Sequence, residues 1–98
     1  MDIEFKDGDL DRLETDSKFV AGWSRDIVKA YRKRMQAIRC AKDERDLVAV
    51  RGNRFEKLKG NRSHQYSMRL NDQWRLILEI QQRTPTNVVV VVNIEDYH

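Results

Sequence analysis

Apolar and polar residues alternate with two different periods along the chain, and the change between them comes near residue 53. In the first half, Ile3 and Phe5 alternate with polar residues and predict a short opening strand. Leu10 and Leu13 then share one face of a short acidic helix. The first half is therefore predicted to be mainly helical after its opening strand.

The most regular element of the first half is a helix predicted over Ser24–Lys42. Ser24 is a favourable N-cap, and Asp26 in the first turn suits the helix dipole. An apolar stripe follows at helical spacing, formed by Ile27, Tyr31, Met35 and Ile38. Cys40 lies at helical spacing close to this stripe and is predicted to be a small buried residue. A second short helix is predicted over Glu44–Val48.

After residue 53, the pattern becomes typical of strands. Four strands are predicted between turns rich in Gly, Asn, Asp and Pro: Phe55–Leu58, Tyr66–Leu70, Trp74–Ile80 and Val88–Ile94. Trp74 and Leu76 share one face of the third strand, while Arg75 lies on the other. Val88–Val92 is apolar on both faces, which favours a central strand. The predicted fold is α+β, a single domain over residues 1–98 with N-terminal helices packed on one face of a mainly antiparallel sheet.

The distribution of charge predicts a nucleic-acid surface more clearly than the net charge does. The chain has 19 Lys and Arg against 16 Asp and Glu, a net charge of only +3. Arg25–Lys42 nevertheless concentrates bases, and those mainly off the apolar stripe include Lys29, Arg32, Lys33 and Arg39. Such a stripe is typical of a phosphate-binding surface, and equally of a helix face that only keeps a protein in solution. No signal peptide or bilayer-spanning run is present, so we expect a cytoplasmic protein without membrane contact.

The residue types exclude several kinds of catalytic site and leave one candidate, a cluster of cations in the second half of the chain. The chain has two histidines, which are not at ligand spacing, and one cysteine, so no metal site is predicted. It also has no glycine-rich loop of the kind that binds a phosphate-containing cofactor, so no cofactor is predicted. Cations instead cluster on the predicted strands and turns of the second half, namely Lys57, Lys59, Arg62, Arg69 and Arg75. Metal-free RNA cleavage needs such cations, together with a base and an acid. From the residues alone, a catalytic cluster and an ordinary basic surface both remain open.

Three segments together resemble the signature of a known family. Leu58–Arg62, Tyr66–Leu76 and Glu95–His98 are similar, in this order and spacing, to HigB toxins of the RelE/ParE superfamily of type II toxin–antitoxin systems. The resemblance implies a microbial-ribonuclease-like fold with a curved sheet. It implies metal-independent, cofactor-free cleavage of mRNA on the ribosome, which inhibits translation. It also implies a helix-turn-helix antitoxin of the HigA kind as partner, with operator DNA bound only through that antitoxin.

The resemblance assigns roles to individual residues. Lys59 and Arg75 match basic residues that contact phosphate and stabilise the transition state. The chain's last three residues match the family's acid–base and base-stacking group, formed by Asp96, Tyr97 and His98. RNA contacts are expected from Lys57, Arg62 and Arg69, and contacts with ribosomal RNA from Lys29, Arg32, Lys33 and Arg39.

One position departs from the family pattern. Glu56 stands where some HigB toxins have a catalytic histidine, so either Glu56 acts as the base or His98 carries the proton transfers. Two other functions stay open beside the nuclease. One is an inhibitor of DNA gyrase, as in the ParE branch. The other is an RNA-binding or ribosome-binding protein with weak catalysis.

Overall fold

The computed structural model describes residues 1–96, which form an α+β fold as predicted. The strands are β1 (Asp2–Phe5), β2 (Glu56–Lys57), β3 (Gln65–Arg69), β4 (Trp74–Gln81) and β5 (Val88–Asp96). The helices are α1 (Gly8–Thr15), α2 (Arg25–Cys40) and α3 (Glu44–Ala49), and short 3₁₀ turns span Arg51–Asn53 and Gly60–Arg62.

The strands form a five-stranded sheet in the order β1-β5-β4-β3-β2. Only β1 runs parallel to its neighbour, whereas the other neighbouring pairs are antiparallel. The mainly antiparallel sheet is therefore confirmed, and so is the inner position of β5. The β4–β5 ladder contains an irregularity between Ile77 and Leu78. This register sets which side chains meet on the open face of the sheet.

The core lies between the helices and one face of the sheet. The predicted stripe of α2 is buried, and Ser24 caps the helix by accepting a hydrogen bond from the Ile27 amide at 3.3 Å. The Tyr31 hydroxyl donates to the Leu10 carbonyl at 2.6 Å, which ties α2 to α1. On the sheet side, alternate residues of β4 and β5 join this core, including Leu76 and Leu78. No helix within the described residues is both long enough and apolar enough to cross a bilayer.

Three local predictions were wrong. Cys40 is exposed, because two residues after Ile38 a side chain has turned about 200° around the helix and leaves the buried stripe. Helix α2 also ends two residues before the predicted Lys42. The predicted strand Phe55–Leu58 is shortened to Glu56–Lys57, since Arg54 before it adopts a left-handed backbone with φ 42°.

Candidate active site

A cleft of about 350 Å³ lies at the β2 edge of the open sheet face. Its lining consists of residues from β2, the following turn, β3, β4 and β5: Glu56, Lys57, Leu58, Lys59, Arg62, Ser67, Arg75, Ile77, Glu95 and Asp96. The cleft thus brings together six of the residues predicted for the site, namely Glu56, Lys57, Lys59, Arg62, Arg75 and Asp96. Tyr97 and His98, also predicted, lie outside the described residues.

The strand register explains why distant segments meet in this cleft. Arg75 on β4 lies directly opposite Arg69 on β3 and Glu95 on β5. Side chains paired in this way have Cβ atoms about 4.5–5.5 Å apart. One row further along the sheet, Ser67 stands between Glu56 and Ile77. Glu56 and Arg75 therefore stand in neighbouring rows on the same face of the sheet, and both line the cleft.

Arg75 lines the cleft although only 8% of its surface is exposed. It points to the face opposite Leu76, as the alternation predicted, while Leu76 enters the core. A guanidinium stays charged at all physiological pH values. Arg75 is consequently a packed, permanent positive charge, the kind of group that stabilises developing negative charge without reorganising.

Lys59 enters the cleft from the turn between β2 and β3. The Leu58 amide donates to the Gln65 carbonyl at 2.9 Å, which closes the hairpin just before Lys59. Gly60 then adopts φ +69°, a left-handed conformation that glycine adopts without strain. The chain turns back there, so that Lys59 and Arg62 both reach the same cleft.

Arg62 forms a bidentate ion pair with Glu95 across the cleft. Its Nη1 donates to Glu95 Oε1 at 3.2 Å, its Nη2 to Oε2 at 2.5 Å, and its Nε to Gln65 Oε1 at 2.9 Å. The hydrogen bonds that Arg62 donates to the Glu95 carboxylate raise the pKa of Arg62 above its ordinary value. The sequence predicted no separate role for Glu95, because only the strand register reveals its position opposite Arg75.

Comparison with protein families identifies the chain. The family model described as the RelE-like toxin of type II toxin–antitoxin system HigB matches residues 3–98. The chain belongs to this HigB-like family. Toxin HigB-1 of Vibrio cholerae serotype O1 is 37% identical over 79 residues, which are 81% of this chain and 83% of that protein. As a toxin of a type II system, the protein has a cognate antitoxin as partner.

Solved structures support the same fold for the toxin. A YoeB/ParE toxin from Agrobacterium tumefaciens aligns over the whole of both chains with a TM-score of 0.60 and 14% identity. The YoeB dimer from Staphylococcus aureus gives a TM-score of 0.53 at 21% identity, covering 100% of this chain and 97% of that one. At these identities the likeness concerns the fold alone.

The cations of α2 lie away from the cleft, and tertiary contacts divide them into two groups. Arg32 donates to the carbonyls of residues 13, 16 and 19, and Arg39 pairs with Glu14 through two bonds of 2.6 Å. Lys29 and Lys33, by contrast, are exposed and form no ion pair within residues 1–96. Of the four α2 cations predicted to contact RNA, the two lysines are consequently the better placed to meet another molecule.

Arg69 does not line the cleft, although the sequence predicted an RNA contact there. Its guanidinium pairs with Asp72 in the β3–β4 turn, and its carbonyl accepts a bond from Arg34 Nε at 2.8 Å. The described part of the toxin contains no group of three His, Cys, Asp or Glu residues that could hold a metal ion.

The charged groups that the cleft presents are three carboxylates, two lysines and two arginines.

Proposed function

We propose that this toxin is a metal-independent endoribonuclease that cuts mRNA on the ribosome in the cytoplasm and so inhibits translation. The observation that carries the proposal is the cleft in which Glu56, Lys59 and Arg75 meet. Membership of the HigB-like family supports it. We also infer that residues 1–98 form one toxin domain, which a shared core and the family match over residues 3–98 support.

The cleft residues supply the elements that RNA cleavage through the ribose 2′-hydroxyl needs. Glu56, exposed at the sheet edge, accepts the proton of the 2′-hydroxyl as this oxygen attacks the adjacent phosphorus. Lys59 and Arg75 hold the negative charge that grows on the phosphoryl oxygens. Lys57 and Arg62 contact neighbouring phosphates from the rim of the cleft.

The leaving 5′-oxygen takes a proton from the terminal group of the chain. Asp96 lines the cleft, and the motif places Tyr97 and His98 directly after it. In this assignment His98 is the proton donor, and Tyr97 stacks on a base, an interaction of about 1–3 kcal/mol. If His98 instead carries both proton transfers, Glu56 only orients the ribose.

The ribosome supplies the geometry that these groups lack. A carboxylate is a weak base toward a hydroxyl, so much of the rate must come from holding the 2′-oxygen in line with the leaving oxygen. We assign ribosomal RNA contact to the exposed Lys29 and Lys33. Arg32 and Arg39 are instead bonded within the toxin, Arg32 to the Asp16 carbonyl and Arg39 to the Glu14 carboxylate.

The test compares cleavage of the same mRNA, free and bound to programmed ribosomes. The purified toxin is first stripped of metal ions by a chelator, which is then removed before the ribosomes are added. We expect fast cleavage within translated codons on ribosomes and very slow cleavage of free RNA. Equal rates on both would refute ribosome dependence and indicate an ordinary ribonuclease. Intact transcripts together with a DNA-damage response in cells would refute the nuclease and favour gyrase inhibition.

A further inference from the structure

The ion pair between Arg62 and Glu95 differs from an ordinary surface ion pair in its location. Both residues line the candidate cleft, and their side chains are 44% and 32% exposed. We propose that Glu95 is a positioning residue, which orients Arg62 so that its remaining N–H groups hold an RNA phosphate at the cleft. The inference rests on the proposed ribonuclease function and deepens it.

The hydrogen-bond inventory of Arg62 leaves donors for a phosphate. A guanidinium has five N–H groups in a planar fork. Glu95 accepts from one on each Nη, and Gln65 accepts the one on Nε. Two N–H groups are left over, and the plane in which they lie is fixed by the three bonds already made. Arg62 can thus donate a hydrogen bond to a phosphate oxygen without first losing the freedom of a loose side chain.

The partners of Arg62 are themselves braced, which distinguishes this pair from a mobile surface contact. Glu95 is held on β5 directly opposite the buried Arg75. Gln65 donates from Nε2 to Glu79 Oε2 at 3.1 Å, and Glu79 also accepts from Lys6 Nζ at 3.3 Å. The orientation of Arg62 is consequently fixed by side chains from three neighbouring strands, β3, β4 and β5, and not by one flexible carboxylate alone.

A positioning role and a mere neutralising charge predict different kinetics. Replacing Glu95 by Gln removes a negative charge from a cleft that binds a polyanion, so RNA binding should stay as tight or become tighter. If Glu95 orients Arg62, the same change misplaces a phosphate contact and slows the chemical step. The expected signature is therefore a lower kcat with an equal or lower KM.

The first experiment measures the cleavage rate of mRNA on programmed ribosomes, with the concentration of mRNA-loaded ribosomes varied from limiting to saturating. Glu95→Gln is expected to lower kcat by about tenfold to a hundredfold without raising KM. Arg62→Ala should lower kcat by at least as much, and the double variant should be no slower than Arg62→Ala alone. An unchanged kcat in Glu95→Gln, or losses that multiply in the double variant, would overturn the inference.

The matched control is Glu4→Gln. Glu4 also pairs with an arginine, Arg83, at 3.3 Å, but both lie outside the cleft lining. Its side chain is 51% exposed, so its loss should leave both kcat and KM at the parent values. A loss of kcat in this variant equal to that of Glu95→Gln would show a general effect of charge and contradict positioning.

A second experiment separates failure of this inference from failure of the proposed function. The Nε–H resonance of Arg62 is followed by NMR while a 2′-O-methyl RNA oligonucleotide, which resists cleavage, is added. In the parent the resonance should be sharp and should shift on addition, whereas in Glu95→Gln it should broaden through exchange with water. The oligonucleotide is added until the amide resonances of other cleft residues shift. An Arg62 resonance that stays in place at that concentration would overturn the role of Arg62, even in a toxin that cleaves mRNA. Absence of cleavage with a responding resonance would instead refute only the nuclease.

Discussion

Replacing Arg32 by Met is expected to destabilise the toxin, because this arginine fastens the segment between α1 and α2. Its Nε donates to the Leu13 carbonyl at 3.0 Å, and its Nη2 to the carbonyls of Asp16 at 2.9 Å and Phe19 at 3.4 Å. Leu13 lies in the last turn of α1, and Asp16 and Phe19 lie on the connection that leads from α1 into α2. Methionine keeps most of the apolar stem and removes only the donors.

The magnitude follows from the geometry of these bonds. A hydrogen bond from a charged donor contributes about 1.5–3 kcal/mol net, and the first two bonds have ordinary lengths. The third is long, and the carbonyls regain some water in the variant because the site is only partly buried. The expected loss in the free energy of unfolding is therefore about 2–4 kcal/mol. For a domain of this size, such a loss lowers Tm by roughly 10–25 °C.

Urea unfolding of Arg32→Met beside Lys33→Met tests this prediction. Lys33 is the next residue on α2 but is exposed and has no ion pair among the described residues, so its replacement should change stability by less than about 0.5 kcal/mol. Equal stabilities of the two variants would refute the structural role of Arg32. In that case Arg32 would return to the set of cations available to RNA.

Three further predictions concern charge. Arg75→Ala should reduce cleavage on ribosomes about a hundredfold, or roughly 3 kcal/mol in the activation free energy, in a protein whose circular dichroism matches the parent; growth arrest at parental strength would place the site elsewhere. Lys29→Glu with Lys33→Glu should lower the dependence of log affinity for ribosomes on log salt by about 1.5, while residual cleavage of free RNA stays constant; an unchanged slope would exclude these contacts. The hydrogen bond from Gln65, followed by Lys6, lowers the pKa of Glu79 below its ordinary 4.5. The folded toxin thus binds this proton less readily than the unfolded chain, so Glu79 stabilises above the unfolded pKa and loses this effect as pH falls through the lowered value. The stability difference between Glu79→Gln and the parent should therefore shrink from neutral pH to about pH 3, and a constant difference would contradict the assignment.

The fold could be predicted where local periodicity carries the information. The stripe from Ile27 to Ile38 and the alternation around Leu76 each depend only on which face meets the core, and both are confirmed. The length of β2 could not be predicted, because it depends on a left-handed residue at Arg54 and on pairing with β3. Cys40 shows the limit of the same method, since near the end of a helix one position decides between burial and exposure.

The chemistry of the cleft was predictable in kind but not in arrangement. The resemblance to HigB toxins pointed to Lys59 and Arg75, and the folded chain brings both to one cleft. Charge alone could not predict which α2 cations are bonded within the toxin and which are exposed. Arg32 and Lys33 are neighbouring cations in the sequence, but Arg32 is bonded to the Leu13 carbonyl whereas Lys33 is exposed. Glu95 was missed for the same reason, since its partner Arg62 is 33 residues away.

The charge of the cleft itself gives a physical reason for the proposed dependence on the ribosome. Four cations line it, Lys57, Lys59, Arg62 and Arg75, against three carboxylates, Glu56, Glu95 and Asp96, which leaves a formal charge of only +1. Affinity for RNA rises with the number of phosphates that cations neutralise, so such a cleft attracts a free strand weakly. The carboxylates cannot be removed from this balance, because Glu56 is the proposed base and Glu95 the proposed support of Arg62. A site that needs acids for chemistry must therefore gain its affinity elsewhere. The proposed contact of the exposed lysines of α2 with ribosomal RNA would meet that need without disturbing the reacting groups.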